Sequence, residues 1–405
     1  MNYKVEIAKN GESTLKLNDI YIYSKYNPRN DAEKFIKKGY DNDAKGYFLV
    51  GLGLGYHLEA LLKIDKNKPI IVLALDEQEF KIYSSNTHIR KSKNVEIILE
   101  LGPNINLSQY QIIIPLSWMK AIGHEHRLHD VLEDIKIRQM SYETLSGVLE
   151  KNFNENLKND DPSISNVKET FKGKSACLVS AGPSLDSTIE LLKVAKDKFF
   201  ILAVGSSLNT LLNNKIEPDA VIITDTQINV VKQLENKEYH GLLFYLATAN
   251  HEMTLVHKGK RVIIFQEGFP LSEIEAEKRN EDVLETGGSV ATTSFSLLEY
   301  MEFKTVILFG QDLGFKDDNT HSTSSTSGKK VVKDMLFRKV LANNGEYIHT
   351  TSNLNTYHRW LERKVKQTNV TYYNTSWEGA KIEGVPYISA KSFHGLLRNI
   401  KFNAL

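Results

Sequence analysis

Ala176-Cys177-Leu178-Val179-Ser180-Ala181-Gly182-Pro183-Ser184-Leu185 is the stretch on which the fold turns. The run from Ala176 to Val179 is apolar and reads as a buried strand, and Ser187 to Ala195 carries helical spacing. Gly182 and Pro183 make the turn between them. A strand, a tight turn and a helix in that order open a parallel α/β unit, whose ligands gather outside the carboxyl ends of the strands. Gly182 permits close approach of a ligand, Pro183 fixes the turn, and the N–H groups of the following helix suit a phosphate. Ser184 or Asp186 is available as a helix cap. The same residues would equally serve as a tight connection that binds nothing.

Working outward, strands are expected at Phe199–Val204, Ala220–Thr224, Leu242–Leu246, Arg261–Phe265 and Thr305–Phe309, with a helix over Ser289–Met301. Upstream, Tyr47–Val50, the turn Gly51-x-Gly53-x-Gly55, a helix through Leu58, Leu61 and Leu62, and Pro69–Leu75 form one βαβ unit. Val95–Leu99 and Gln111–Pro115 add strands, Leu17–Tyr23 a small β element, and Leu128–Leu157 a helix with an apolar stripe of Met140, Leu145, Val148 and Leu149. The fold class is therefore α/β, with two Rossmann-like doubly wound units and a mainly helical C-terminal segment. That segment is expected to hold helices at Asp334–Ala342 and Thr356–Gln367. The polar run 159–165, with Pro162, marks a boundary, giving domains 1–160, 161–330 and 331–405, the last packing on the central one. The Ser/Thr-rich stretch Asp317–Lys330 has no apolar anchor and is expected to be a mobile loop.

Composition narrows the function classes. The 405 residues carry 51 basic and 50 acidic side chains, a net charge of +1, so no overall basic field exists to hold a nucleic acid. No apolar run approaches the roughly 18 residues of a membrane span, and Met1–Asn10 lacks the apolar core of a secretory signal. The single cysteine, Cys177, excludes a disulfide framework or a multi-thiolate zinc site and lies in a strand as a core residue. These features point to a cytoplasmic protein that binds neither nucleic acid nor membrane.

Further candidate residues stand at other element ends. Thr286-Gly287-Gly288-Ser289-Val290-Ala291-Thr292-Thr293 sets a glycine pair before a Ser-capped helix, which is either an anion-ready terminus or a plain cap. Gly310-Gln311-Asp312-Leu313-Gly314-Phe315 follows a strand, so Asp312 is placed either for substrate contact or as a turn residue. Asp225 ends another strand. His321, in the polar loop, has the pKa of a general base, with His251 a weaker rival. In the N-terminal unit, Asp76 lies 21 residues after Gly55, a spacing that suits an acid reaching a ribose, although the glycines also serve close packing.

Three pieces in order, SAGPSL, TGGSVATTSFSLLEY and ILFGQDLGF, resemble the central domain of the motility accessory factor family of flagellin glycosyltransferases. That domain is shared with archaeal proteins like 6-hydroxymethylpterin diphosphokinase and is similar to bacterial sialyltransferases. The segment Asn374–Gly384 and the stretch Gly51–His57 extend the likeness over residues 45–385. The resemblance implies transfer of a nonulosonic acid, of pseudaminic or legionaminic type, from its CMP-activated donor to Ser or Thr hydroxyls of flagellin. It implies inversion at the sugar carbon, no metal and no further cofactor. Carried over by position, Gly182, Pro183 and Ser184 would line the nucleotide phosphate, with Asp225 on the same rim. Gly288, Ser289 and Val290 would lie near the sugar or its carboxylate. Gln311 and Asp312 would face the reacting centre, and His321 would be the base.

Other readings compete, among them an S-adenosylmethionine-dependent methyltransferase built on Gly51 to Gly55. A pterin diphosphokinase-like pyrophosphoryl transferase would need Mg²⁺ on Asp225 and Asp312, and the chain lacks a P-loop. A non-catalytic protein holding flagellin or a nucleotide would need no base.

Overall fold

Residues 1–86, 92–100, 110–123, 127–315, 320–327 and 337–399 are described by the structure, a computed structural model. They fall into two compact units, Met1–Tyr142 and Glu143–Leu405. The parts of the expected loop and helix at 317–319, 328–330 and 334–336 lie outside the described residues.

The first unit opens with an antiparallel sheet of β1 (Tyr3–Ile7), β2 (Ser13–Leu17) and β3 (Ile20–Tyr21), followed by α1 (Pro28–Gly39). Then come β4 (Gly46–Val50), α2 (Tyr56–Ile64), β5 (Ile70–Leu73), α3 (Glu77–Asn86), β6 (Val95–Ile98), β7 (Tyr110–Ile113), α4 (Leu116–Ile122) and α5 (Arg127–Leu157). Its parallel sheet runs in the order β6-β5-β4-β7, with the strand sequence reversing beside β4. Every residue of β4 is buried, as a central parallel strand with both faces covered requires.

Helix α5 continues past the division between the units. Asn152 donates to the Thr226 carbonyl at 2.9 Å, and Asn156 donates to the carbonyls of Ala247 (2.9 Å) and Ala249 (2.8 Å). Those bonds tie the end of α5 to the second unit, so the division falls ahead of the polar 159–165 stretch. Val148, expected on the apolar stripe of this helix, is 44% exposed.

The second unit contains α6 (Lys168–Phe171), β8 (Ser175–Val179), α7 (Ser184–Ala195), β9 (Phe200–Val204), α8 (Leu208–Asn213), β10 (Ala220–Ile223), β11 (Leu242–Leu246), α9 (His251–Val256) and β12 (Arg261–Gln266). It continues with α10 (Pro270–Arg279), β13 (Val283–Leu284), α11 (Val290–Tyr300), β14 (Thr305–Phe309), β15 (Arg338–Leu341), β16 (Tyr347–Thr350), α12 (Ser352–Gln367), β17 (Thr371–Asn374) and α13 (Ala390–Asn399). Among the described residues its main sheet is eight-stranded and parallel, in the order β13-β12-β11-β10-β9-β8-β14-β17. The chain walks outward from β8 to β13, then returns to place β14 on the other side of β8. This is a doubly wound sheet, and its strand order reverses between β8 and β14, where such folds hold ligands.

In the C-terminal segment α12 covers the helix expected at Thr356–Gln367, while the described part of the other expected helix, Asp334–Ala342, is not helical. Residues 338–341 form a strand that pairs with β16 across an Asn344-Gly345 turn, Gly345 having φ +85°. Strand β17 joins the main sheet beside β14, so residues 337–399 are built into the second unit. No helix among the described residues is long and apolar enough to cross a membrane.

Candidate active site at the strand-order reversal

The turns after β8 and β14 are locked together. Ser180 N–H donates to the Phe309 carbonyl at 2.8 Å and Gly182 N–H to the Gly310 carbonyl at 2.9 Å. Ser180 Oγ donates to Gln311 Oε1 at 2.7 Å, and Ser184 N–H to Asp312 Oδ2 at 2.8 Å. The fit admits no side chain at two glycines. A Cβ on Gly182 would lie 2.3 Å from Asp312 Oδ2, and one on Gly310 (φ +62°) 2.4 Å from the Ser180 carbonyl oxygen.

This arrangement changes what the first turn can do. The amides of Leu185 and Asp186 bond to the carbonyls of Gly182 and Pro183, so the N–H groups of 182, 184, 185 and 186 are all used within the protein. Asp312 takes the Ser184 amide, one of the donors that the sequence offers to a phosphate. Its other oxygen accepts the Ser376 hydroxyl, and its carbonyl accepts Ala380 N–H at 2.7 Å. Burial raises the Asp312 pKa, and the bonds from Ser184 and Ser376 oppose that rise. Gln311 and Asp312 are only 4% and 6% exposed, and both are held by hydrogen bonds within the protein.

The second glycine turn is open where the first is closed. Ser289 caps α11 in a box with Thr292: Thr292 N–H donates to Ser289 Oγ at 3.2 Å, and Ser289 N–H donates to Thr292 Oγ1 at 3.0 Å. Among the described residues no protein acceptor meets the amides of Val290 and Ala291. Gly288 is exposed with φ +88°, and a Cβ there would meet only Tyr357 Cε1 at 3.4 Å. Gly287 serves packing, since a Cβ there would strike Thr292 and Trp360. Tyr357, on α12, has its pKa raised by burial and then by the charge of Asp225. Gly288, Tyr357 and Asp225 therefore share one neighbourhood. Asp225 itself is exposed, and its Oδ1 accepts Gln227 N–H at 3.0 Å.

The loop carrying His321 is pinned across the same end of the sheet. Ser322 N–H donates to the Ala181 carbonyl at 2.8 Å, and its hydroxyl meets Thr210 Oγ1 at 3.1 Å. Thr323 gives both its N–H and its hydroxyl to Asp186 Oδ2 (2.8 and 2.7 Å), and Asn209 donates to the Ser324 carbonyl at 2.9 Å. Residues 320–327 are thus anchored, against the expectation of a mobile loop, because polar side chains supply the hold that apolar ones do not. His321 Nδ1 lies 2.8 Å from Thr320 Oγ1. The rival His251 faces Asn156 at 3.0 Å, and burial lowers its pKa; it belongs to the clamp on α5.

Gly182, Pro183, Ser184, Gln311, Asp312 and the His321 segment thus meet at the β8–β14 reversal, while Gly288, Ser289 and Val290 at the start of α11 and Asp225 after β10 gather around Tyr357. Sequence reasoning missed Asp186 as the anchor of the His321 loop, Ser376 as the partner of Asp312, and Tyr357. In the sequence Asp186 reads only as a possible cap, and Tyr357 sits on a helix with no local motif.

Residues 149–318 match the family described as 6-hydroxymethylpterin diphosphokinase MptE-like. The central part of the chain is thus similar to that family. The whole chain also has the fold of the Maf glycosyltransferase from Magnetospirillum magneticum AMB-1, with a TM-score of 0.54 and 16% identity over 98% of this chain and 73% of that one. An uncharacterised protein of Treponema pallidum (strain Nichols) is 21% identical over 223 residues, 49% of this chain and 75% of that one. The resemblance to the motility accessory factor family drawn from the motifs is borne out by the first two matches. Both locked turns and the start of α11 lie inside the matched range, which includes 180–184, 288–290 and 310–312.

Proposed function

We propose that this chain is a glycosyltransferase that moves a nonulosonic acid from its CMP-activated donor to Ser or Thr hydroxyls of flagellin, in the cytoplasm before export. The match to the MptE-like family and the fold shared with a Maf glycosyltransferase support the reading at the level of family and fold. The observation that carries it is the anchoring of the His321 segment to the Ala181 carbonyl, at the place where the strand order reverses.

In this reading the donor's anionic groups lie at the start of α11. The amides of Val290 and Ala291 point out of that helix end, Gly288 leaves room for a ligand, and the helix dipole favours negative charge. A CMP phosphate leaves readily once its charge is stabilised, so little acid catalysis is needed at the donor. His321 takes the proton of the acceptor hydroxyl as that oxygen attacks the sugar carbon, which inverts. The β8 and β14 turns give the crevice a rigid floor. Asp312 positions that floor and touches no substrate.

The diphosphokinase alternative needs Asp312 and Asp225 on Mg²⁺. Both Asp312 oxygens are already engaged, by Ser184 and Ser376, which weighs against that role. The test is turnover. Purified protein, CMP-pseudaminic or CMP-legionaminic acid and flagellin should release CMP only when all three are present, and the flagellin should gain the mass of the sugar. CMP bound without any transfer would favour a non-catalytic binding protein.

A further inference from the structure

A Rossmann-like unit places a nucleotide's pyrophosphate at its first strand–helix turn, here Gly51-x-Gly53-x-Gly55 between β4 and α2. The residues present do not fit such a ligand. Gly51 N–H donates to the Leu73 carbonyl (2.9 Å) and Gly55 N–H to the Leu52 carbonyl (2.8 Å). Gly53 N–H donates to Glu79 Oε1 at 2.6 Å, and Leu75 N–H donates to Glu79 Oε2 at 2.5 Å. Glu79 is fully buried beneath the turn.

The space is filled as well as the donors. A Cβ on Gly51 would lie 2.2 Å from the Trp118 ring, and one on Gly53 would lie 2.7 Å from the Tyr23 hydroxyl. The glycines therefore admit aromatic rings of the protein, where a dinucleotide site would admit a phosphate. Asp76, whose spacing suited a ribose, accepts Glu79 N–H at 2.8 Å and caps α3.

We infer that Glu79 is a built-in anion that occupies the phosphate position of the glycine turn, so that this Rossmann-like unit is closed to nucleotides and latched by its own carboxylate. Backbone N–H groups of the turn on both oxygens of one buried carboxylate are the arrangement by which glycine turns hold phosphate oxygens. Here the anion is covalently part of the chain, and Trp118 and Tyr23 seal it in.

Hydrogen exchange of the full chain at pH 8, resolved at the Gly53 and Leu75 amides, tests this. S-adenosylmethionine, NAD and ATP·Mg²⁺ should leave both rates unchanged in the wild type. Glu79→Ala should speed exchange on the order of tenfold or more, and added formate should slow it again. Glu79→Asp, which shortens the reach to the turn, reads the same exchange should the alanine variant not fold. Protection of the wild-type turn by any of the three nucleotides would overturn the inference. Unchanged exchange in the variants would also overturn it, as would acceleration that formate does not reverse, because Glu79 would then be packing and not an anion.

Discussion

Asp312 Oδ2 accepts the backbone N–H of Ser184 at 2.8 Å, joining the end of β14 to the start of α7. The two residues lie 128 positions apart in the chain. A carboxylate at a helix N-terminus satisfies an orphan amide and complements the dipole. With Ser376 on its other oxygen, Asp312 holds three chain segments at one point.

Removing that carboxylate should therefore cost stability before it costs chemistry. Asp312→Ala leaves the Ser184 amide and the Ser376 hydroxyl without their partner, a loss of about 2–4 kcal/mol. Ser376→Ala removes one bond and should cost about 1 kcal/mol. Urea denaturation of both variants checks the order. Equal costs would mean that Asp312 does not act through both oxygens.

The two glycine turns should respond differently to an added methyl group. Gly182→Ala drives a Cβ to 2.3 Å from Asp312 Oδ2, so it should destabilise by about 2–3 kcal/mol. Gly288→Ala meets no close atom but must hold φ +88°, a cost of about 1–2 kcal/mol. In the proposed site it should also weaken CMP binding, which Gly182→Ala should do only as it unfolds. Thermal melts with and without CMP separate the two effects.

Burial raises the Glu79 pKa from 4.5 to about 7 despite the Gly53 and Leu75 amides on its oxygens. The folded chain then holds this proton more tightly than the unfolded chain does. The stabilisation is fully present below pH 4.5 and is lost as the pH rises through about 7. Between pH 5 and 8 the wild type should lose on the order of 2–3 kcal/mol relative to Glu79→Gln, whose side chain does not titrate. Unfolding of both proteins across that range reads the difference; parallel pH profiles would contradict it.

His321 and its anchor should separate binding from chemistry. His321→Ala should keep CMP affinity and lose transfer by about 10²- to 10⁴-fold. Asp186→Asn weakens the hold on Thr323 and should slow transfer less, without changing the pH at which activity rises. Steady-state rates against pH for the two variants check the distinction.

Much of this was legible because buried parallel strands declare themselves. The strands β8, β9, β10, β11, β12 and β14 are continuous apolar runs, and glycine or a polar turn ends them at the sheet's carboxyl edge. Strand β17 escaped notice because an edge strand alternates: Tyr372 and Asn374 are buried while Thr371 is exposed. Residues 338–341 read as part of a helix from local preference, but pairing with β16 and the bridge between Phe315 and His349 decide for strand. The candidate site was legible as a set of turns and not as roles. That Asp312 caps α7, and that Asp186 anchors the His321 loop, depends on contacts between residues more than 100 positions apart.

The central claim is that a CMP-activated donor binds at the start of α11 beside a floor built on Asp312. Calorimetric titration with CMP in the absence of metal tests it most directly, on the wild type, Gly288→Val and His321→Ala. The account predicts binding by the wild type and by His321→Ala, with binding lost in Gly288→Val while its fold is retained. Absence of CMP binding by the wild type, with Mg²⁺-dependent binding of ATP in its place, would contradict it.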